Sequence, residues 1–313
     1  MGAYISIDRH IHVSNKSSSN GVIKQIGYMD ISDEMIDDII NNPKLKWIQI
    51  SDYLPDDAYK IIDRILSLRP DISFRIYDFL DYDVVDISFL RKIPNLRNLR
   101  IDYIDFKENQ HRIDFSILKE LKLKKFTVSC FDLRDYEFIQ NLSEEIESLS
   151  IMADTMGPGV KFDCKWLLRY KHLNTLWLGK KAKKNIECIN QIDSLKSLSL
   201  RGIKVLDFSF LKQMHLEKIA FLWNSNNDLH ELAQLKDLKE IELWRINKLE
   251  DISFLEELTN LEIIKLQDLK HVISLPDLSN HTYLQKIYLI DTGIDVELLP
   301  TYVKDKTTNW DDR

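Results

Sequence analysis

His10 and His12 are the first residues whose types and spacing suit chemistry. They fall in residues 4–13 (Tyr-Ile-Ser-Ile-Asp-Arg-His-Ile-His-Val), a run that alternates like a strand and so turns both rings to one side. A His-x-His pair is half of a zinc site, and the other half must come from further Cys, His, Asp or Glu ligands. No such cluster accompanies it, so a surface strand is the expected reading. Cys130 has no histidine at strand spacing to activate it as a nucleophile. Met156-Gly-Pro-Gly159 is a turn too short to cradle a phosphate, and no P-loop, GxGxxG or GxSxG sequence occurs. Catalytic, cofactor and metal sites are therefore not expected. What remains is binding chemistry: aromatic and arginine side chains of the kind that anchor interfaces. They include Trp177, Arg201, Trp223, Trp244, Arg245 and Tyr288, with Leu222 among them, and in the first half Arg75, Tyr77, Arg100 and Tyr103.

Whether these side chains act together depends on the elements that hold them. The phrase apolar-x-x-apolar-x-apolar returns along the chain, for example at Leu96-x-x-Leu99-x-Ile101, Leu173-x-x-Leu176-x-Leu178, Leu195-x-x-Leu198-x-Leu200, Leu238-x-x-Ile241-x-Leu243, Leu261-x-x-Ile264-x-Leu266 and Leu284-x-x-Ile287-x-Leu289. Fitted to the whole chain it starts at positions 23, 45, 71, 96, 123, 146, 173, 195, 216, 238, 261 and 284, and the last six starts are 21 to 23 residues apart. The copy at Asp71 is the weakest, because a polar residue opens it. A fixed short period means stacked small units, each burying the face of its neighbour. Alternation of period two inside the phrase predicts a short strand. A second phrase follows most strands: Asp86-Ile-Ser-Phe-Leu90, Asp114-Phe-Ser-Ile-Leu118, Asp207-Phe-Ser-Phe-Leu211 and Asp251-Ile-Ser-Phe-Leu255, with variants at Asp135 and Asp163. Its Asp is placed to cap the amides of a short helical turn, and its apolar residues to pack under the strand.

This pattern resembles the leucine-rich repeat family over residues 23–294, and its short period is most similar to the bacterial internalin-like type. The resemblance implies an α/β solenoid, a horseshoe or arc with a parallel concave β-sheet and short helices or 3₁₀ turns on the convex side. The family's Asn at the ninth position is replaced here by Ile104, Ile203, Ile246, Leu269 and Thr292. The turns are then expected to be held by apolar packing instead of an Asn ladder. The expected organisation is an N-terminal capping strand or hairpin over residues 1–22, about twelve repeats over 23–294, and a C-terminal cap with a polar tail over 295–313, where residues 303–313 are expected to fray. Residues 15–21 read as a loop. Helical spacing appears early, behind a Ser32 cap and again over residues 57–68.

Register sorts the candidate residues. Positions one, four and six of the phrase point inward, while three, five, seven and eight face the concave surface. The outward set holds four of the chain's six tryptophans: Trp47, Trp177, Trp223 and Trp244. Solvent-facing positions should be poor in Trp, so the excess argues for a contact surface. Trp177, Arg201, Leu222, Trp223, Trp244 and Arg245 fall on four consecutive strands, and Ser197, Ser199, Ala220 and Gly202 between them are small. A second, more polar outward patch holds Arg75, Tyr77, Asp78, Arg100, Asp102 and Tyr103; cross-strand ion pairing on a solvated sheet accounts for it as well as binding does. Cys130 also falls at an outward position.

Charge and composition exclude several classes. The chain has 43 Lys and Arg against 50 Asp and Glu, a net charge of −7. Its outward strand positions are nearly neutral, so a protein partner fits better than nucleic acid, which would select a basic stripe. No apolar run approaches the roughly 20 residues of a membrane helix, and residues 1–10 lack the basic start and hydrophobic stretch of a secretory leader, so none is expected. Three cysteines without CxxC spacing suit reduced thiols and a cytoplasmic location. The sequence thus points to a non-catalytic module gripping a protein partner on its concave face, with toxin neutralisation or scaffolding as its roles. The alternative is a structural or self-associating repeat protein, and a cryptic enzyme ranks below both.

Overall fold

The computed structural model describes residues 9–20, 23–205 and 207–308. Residues 4–8 of the expected N-terminal strand, Gly21 of the expected loop and residues 309–313 of the expected tail lie outside them. The chain folds as a leucine-rich repeat solenoid of parallel strands joined by 3₁₀ turns and a few helices, in two compact units, residues 1–161 and 162–313.

In the first unit the strands are β1 (His10–Ser14), β2 (Ser18–Asn20), β3 (Ile23–Gly27), β4 (Trp47–Ile50), β5 (Ser73–Tyr77), β6 (Asn98–Asp105), β7 (Lys125–Phe131) and β8 (Ser148–Ile151). Their spatial order is β8-β7-β6-β5-β4-β1-β3-β2. β1 is inserted between β3 and β4 and runs parallel to both, while the hairpin of this end is formed by β2 and β3. Helix α1 (Asp33–Asn41) starts where Ser32 accepts a hydrogen bond from the Met35 amide, and α2 (Asp56–Leu68) follows Pro55. Pro55 suits that position because it has no amide hydrogen to leave unpaired at a helix start.

In the second unit β9 (Thr175–Gly179), β10 (Ser197–Arg201), β11 (Lys218–Leu222), β12 (Glu240–Trp244), β13 (Ile263–Gln267) and β14 (Lys286–Ile290) pair in sequence order and in register, phrase position opposite phrase position. A short helix, α3 (Thr301–Lys304), leads to β15 (Thr307–Thr308), which adds to β14. Val303 is buried, and the Ile287 amide donates to the Lys306 carbonyl at 2.8 Å. The segment expected to fray is therefore tied down through Thr308: the sequence shows its polarity but not the open strand edge it covers.

The two phrases do the work expected of them. Positions one, four and six are buried throughout the regular repeats, as in Leu195, Leu198 and Leu200 or Leu261, Ile264 and Leu266. In the weak copy Ile72 is buried in place of Asp71. The Asp86, Asp114, Asp135, Asp163, Asp207 and Asp251 carboxylates each accept from the amide two residues on, at 2.7 to 3.0 Å. Asp228, Asp277 and Asp295 do the same in the other turns. The aromatics that follow pack under the strands: Phe89 edge-on to Phe74, Phe138 to Phe126 and Phe208 to Phe221. At the ninth position Ile104, Ile203, Ile246 and Leu269 are buried, and Thr292 half-buried, in place of an Asn ladder. Asn224 is the Asn at that position, and its amide donates to the Ile203 carbonyl.

Position eight carries a feature the phrase does not announce. Asp78, Tyr103, Lys180, Gly202, Trp223, Arg245, Asp268 and Asp291 all have positive φ. At six of them the amide still donates to the carbonyl at position seven of the next repeat, for example Trp223 to Trp244 at 2.7 Å and Arg245 to Gln267 at 2.9 Å. The sheet ladder continues through this residue while the backbone turns away from it. Gly, Asp and Asn enter that conformation readily; other residues pay about 1–2 kcal/mol.

Candidate functional site

On the second unit the aligned register stacks the outward positions in rows. The row at position seven reads Gly179, Arg201, Leu222, Trp244 and Gln267 across five strands. The row at position five reads Trp177, Ser199, Ala220, Glu242, Lys265 and Tyr288.

Trp223 stands at the centre. Its ring meets Trp244 edge-on, with centroids 5.9 Å apart and planes at 83°. The Arg245 guanidinium lies 4.4 Å from the Trp223 ring centroid and that of Arg201 lies 5.2 Å away. Arg245 is also held by a hydrogen-bonded ion pair to Asp268. Leu222 sits between Arg201 and Trp244 in its row. The structure thus brings together Arg201, Leu222, Trp223, Trp244 and Arg245, and Asp268 joins them. Trp177 and Tyr288 lie in the neighbouring row, where Trp177 faces the small Ser199 with Ala220 beyond it and Tyr288 carries Lys265 at 6.0 Å. Ala220 is buried, so it floors the face and is not part of its surface.

Two features of this cluster are costly to the free protein. Trp223 holds φ 54°, a conformation that a bulky side chain avoids, and it still leaves 42 % of its surface exposed. The buried Trp244 Nε1 has no acceptor among the described residues. A buried donor left unpaired costs about 1–3 kcal/mol. Strain and unsatisfied polarity that persist in a folded protein collect where function needs them. At position three Glu240 is gripped by Lys218 at 2.9 Å and Lys265 at 2.5 Å. Burial pushes that carboxyl up, but the two lysine hydrogen bonds outweigh it and hold it below its ordinary value.

On the first unit the polar patch is more tightly wired than ion pairing on a solvated sheet. Arg75 and Arg100 lie directly opposite one another on β5 and β6. Both donate from Nε to one oxygen of Asp102, Arg75 at 2.6 Å. Asp102 therefore does not sit on the surface as its register implied: it is 0 % exposed, roofed by the two guanidinium groups, and its other oxygen has no partner among the described residues. Arg75 continues to Gln49 at 2.9 Å, Gln49 to His12 Nδ1 at 3.3 Å, and His12 Nε2 to Ser51 at 2.9 Å. His12 is thereby corrected from a surface residue to a buried member of a network. Burial first, then the nearby His10 and Arg75, lower its pKa to about 4 and keep it neutral. Its neighbour His10 stacks on Trp47 instead. Among the described residues no group of three His, Cys, Asp or Glu is placed to hold a metal.

Beside this network runs an aromatic edge. Arg75 covers Tyr77 at 4.2 Å, Tyr77 meets Tyr103 at 5.0 Å, and Tyr103 meets Phe131 at 5.3 Å. Tyr103, like Trp223, is exposed at positive φ. Phe131, 51 % exposed, was not among the expected residues, whereas Cys130, expected outward, is buried with its thiol on the Ile101 carbonyl. The reason is a register shift between β6 and β7, which pairs Asp102 with Ser129 but Asp105 with Phe131. β7 keeps alternating past position seven, turning Cys130 in and Phe131 out.

No protein-family model matches the chain, and no curated protein does. Similar solved structures include an internalin (inlF) from Listeria monocytogenes, 20 % identical, covering 86 % of this chain and 80 % of that one with a TM-score of 0.49. Internalin C2 (inlC2) from the same species is 22 % identical and covers 74 % of this chain and 83 % of its own, with a TM-score of 0.39. No helix among the described residues is long and apolar enough to cross a membrane.

Proposed function

We propose that this leucine-rich repeat chain is a non-catalytic protein-binding module whose partner seats on the strand face, the face expected to be concave, over Arg201, Leu222, Trp223, Trp244 and Arg245. The observation that carries the reading is Trp223: a large, partly exposed ring at an αL position, flanked by two arginines. An unselected surface would place Gly, Asn or Asp there, as Gly202 and Asp268 do in neighbouring repeats. Trp and Arg clustered in this way are the residue types that carry interface energy. Mixed charge, with Lys218, Glu240 and Lys265 in one bridge and Arg245 on Asp268, suits a folded protein surface. The Tyr77, Tyr103 and Phe131 edge, with Arg100 beside it, extends the same role to the first unit. Toxin neutralisation or scaffolding are the roles such a module suits, and three free, buried cysteines fit a reducing cytoplasm.

The test is capture from the producing cell. Wild-type chain and a Trp223→Ala, Trp244→Ala variant are used as baits, with folding checked by circular dichroism. The reading expects one protein recovered in stoichiometric yield by the wild type and lost by the variant. Recovery of the same protein in equal yield by both would sink it. So would a stable oligomer by light scattering, unchanged by the substitutions, with no partner recovered.

A further inference from the structure

The run Lys180-Lys181-Ala182-Lys183-Lys184 follows β9 in a chain whose net charge is −7. It does not hang loose. The Lys180 amide donates to Arg201, Ala182 to Gly179, Lys183 to Lys181 and Ile186 to Lys183, all within 3.2 Å. The Cys164 amide donates to the Lys184 carbonyl at 3.0 Å. Ala182 plugs into the core and Lys181, Lys183 and Lys184 turn outward. Asn185, at φ 54°, donates to both oxygens of Asp163 at 2.8 Å and fixes the far end of the run.

Around this loop lies a hollow of about 610 Å³ lined by Lys181, Lys183, Lys184 and Lys204 over Ile186, Val205 and Phe210. Lys184 is paired to Asp163 at 3.3 Å. Among the described residues no carboxylate lies within ion-pairing distance of Lys181, Lys183 or Lys204, although Glu187 and Asp207 stand on the rim. Three unpaired lysines against the two rim carboxylates leave the lining net positive above an apolar floor, a combination complementary to an anionic segment with one apolar side chain. We propose that this hollow binds an acidic peptide segment, which seats one apolar side chain on Ile186, Val205 and Phe210 while Lys181, Lys183 and Lys204 neutralise the flanking carboxylates.

The composition of the site favours that occupant over nucleic acid. An apolar floor offers nothing to a phosphate, and rim carboxylates oppose a dense polyanion. Lysine ammonium groups act as movable point charges and accept carboxylates at varied positions, without the planar fork that phosphate clamps use. None of the aromatic and arginine residues of the strand face lines this hollow, so the two sites can be tested separately.

The probe is a terminally blocked peptide of glutamates around one central phenylalanine, titrated into the intact chain by fluorescence anisotropy. Binding should weaken with salt, and about tenfold or more in Lys181→Glu, Lys183→Glu, Lys204→Glu, where three attractive contacts become repulsive. These lysines are exposed, so the variant should retain the wild-type circular dichroism and melting point. A peptide with serine for phenylalanine should bind several-fold more weakly. Equal affinity of the triple variant, no wild-type binding at millimolar peptide, indifference to the serine change, or tighter binding of a single-stranded oligonucleotide of equal charge would each overturn the proposal.

Discussion

Trp223 meets Trp244 edge-on at 5.9 Å across neighbouring repeats, and the Trp223 amide donates to the Trp244 carbonyl at 2.7 Å. One residue thus serves two ends: its backbone continues the sheet ladder while its ring leaves the sheet. The cost of the backbone and the gains of the ring nearly cancel. The αL backbone costs about 1–2 kcal/mol, the edge contact returns about 0.5–1.5 kcal/mol, and the arginine contacts add about 0.5–1 kcal/mol at an exposed site.

Replacing Trp223 by Gly should therefore change the free energy of unfolding by less than about 1 kcal/mol. The same change should lower affinity for the protein partner at least tenfold, a hot-spot loss of about 2 kcal/mol or more. Urea titration and calorimetry on one preparation measure both quantities.

Asp102→Asn should destabilise the protein by about 1–3 kcal/mol, the cost of losing charge-assisted hydrogen bonds at a buried site while the two arginines keep partial access to water. Arg75 and Arg100 are directly opposite each other, and only the Asp102 carboxylate between them turns that repulsion into attraction. Chemical denaturation reads the loss.

Stability should fall on acidification from about pH 6.5 to about pH 4. In the folded chain His12 stays neutral down to about 4, whereas in the unfolded chain it binds a proton near 6.5. The unfolded state then holds more protons across this window, so lowering pH favours unfolding, by up to about 3 kcal/mol at its acid end. His12→Gln should flatten this part of the profile, measured as unfolding free energy at each pH against wild type.

The three cysteines should not react with a thiol-labelling disulfide reagent until the chain unfolds. All are buried, and burial pushes the Cys130 and Cys164 thiols up, away from the reactive thiolate. Labelling in urea should track the loss of circular dichroism.

The repeat was legible because each phrase position has one physical fate. Leucine at positions one, four and six can only be buried, and Asp before a turn can only cap. The αL position was hidden, because Tyr103, Lys180, Trp223 and Arg245 are not residues that advertise positive φ, and Gly202, Asp78, Asp268 and Asp291 hint at it only once they are aligned at one position. Phe131 and Cys130 exchanged sides at a pairing irregularity that no local pattern encodes. His12 was misplaced because chain order does not reveal that β1 lies between β3 and β4, which shuts its ring away from water. Asp102 was read as solvated because two arginines at matching positions cover it only once the strands are aligned.

The positive-φ residue that ends each regular strand separates recognition from folding. Lys180, Trp223 and Arg245 reach outward from a slot whose backbone hydrogen bond does not depend on the side chain. Selection can therefore rewrite these slots one at a time and retarget the surface while the stack beneath keeps its register. The same slots form a ready-made library position for engineering new specificities onto this scaffold.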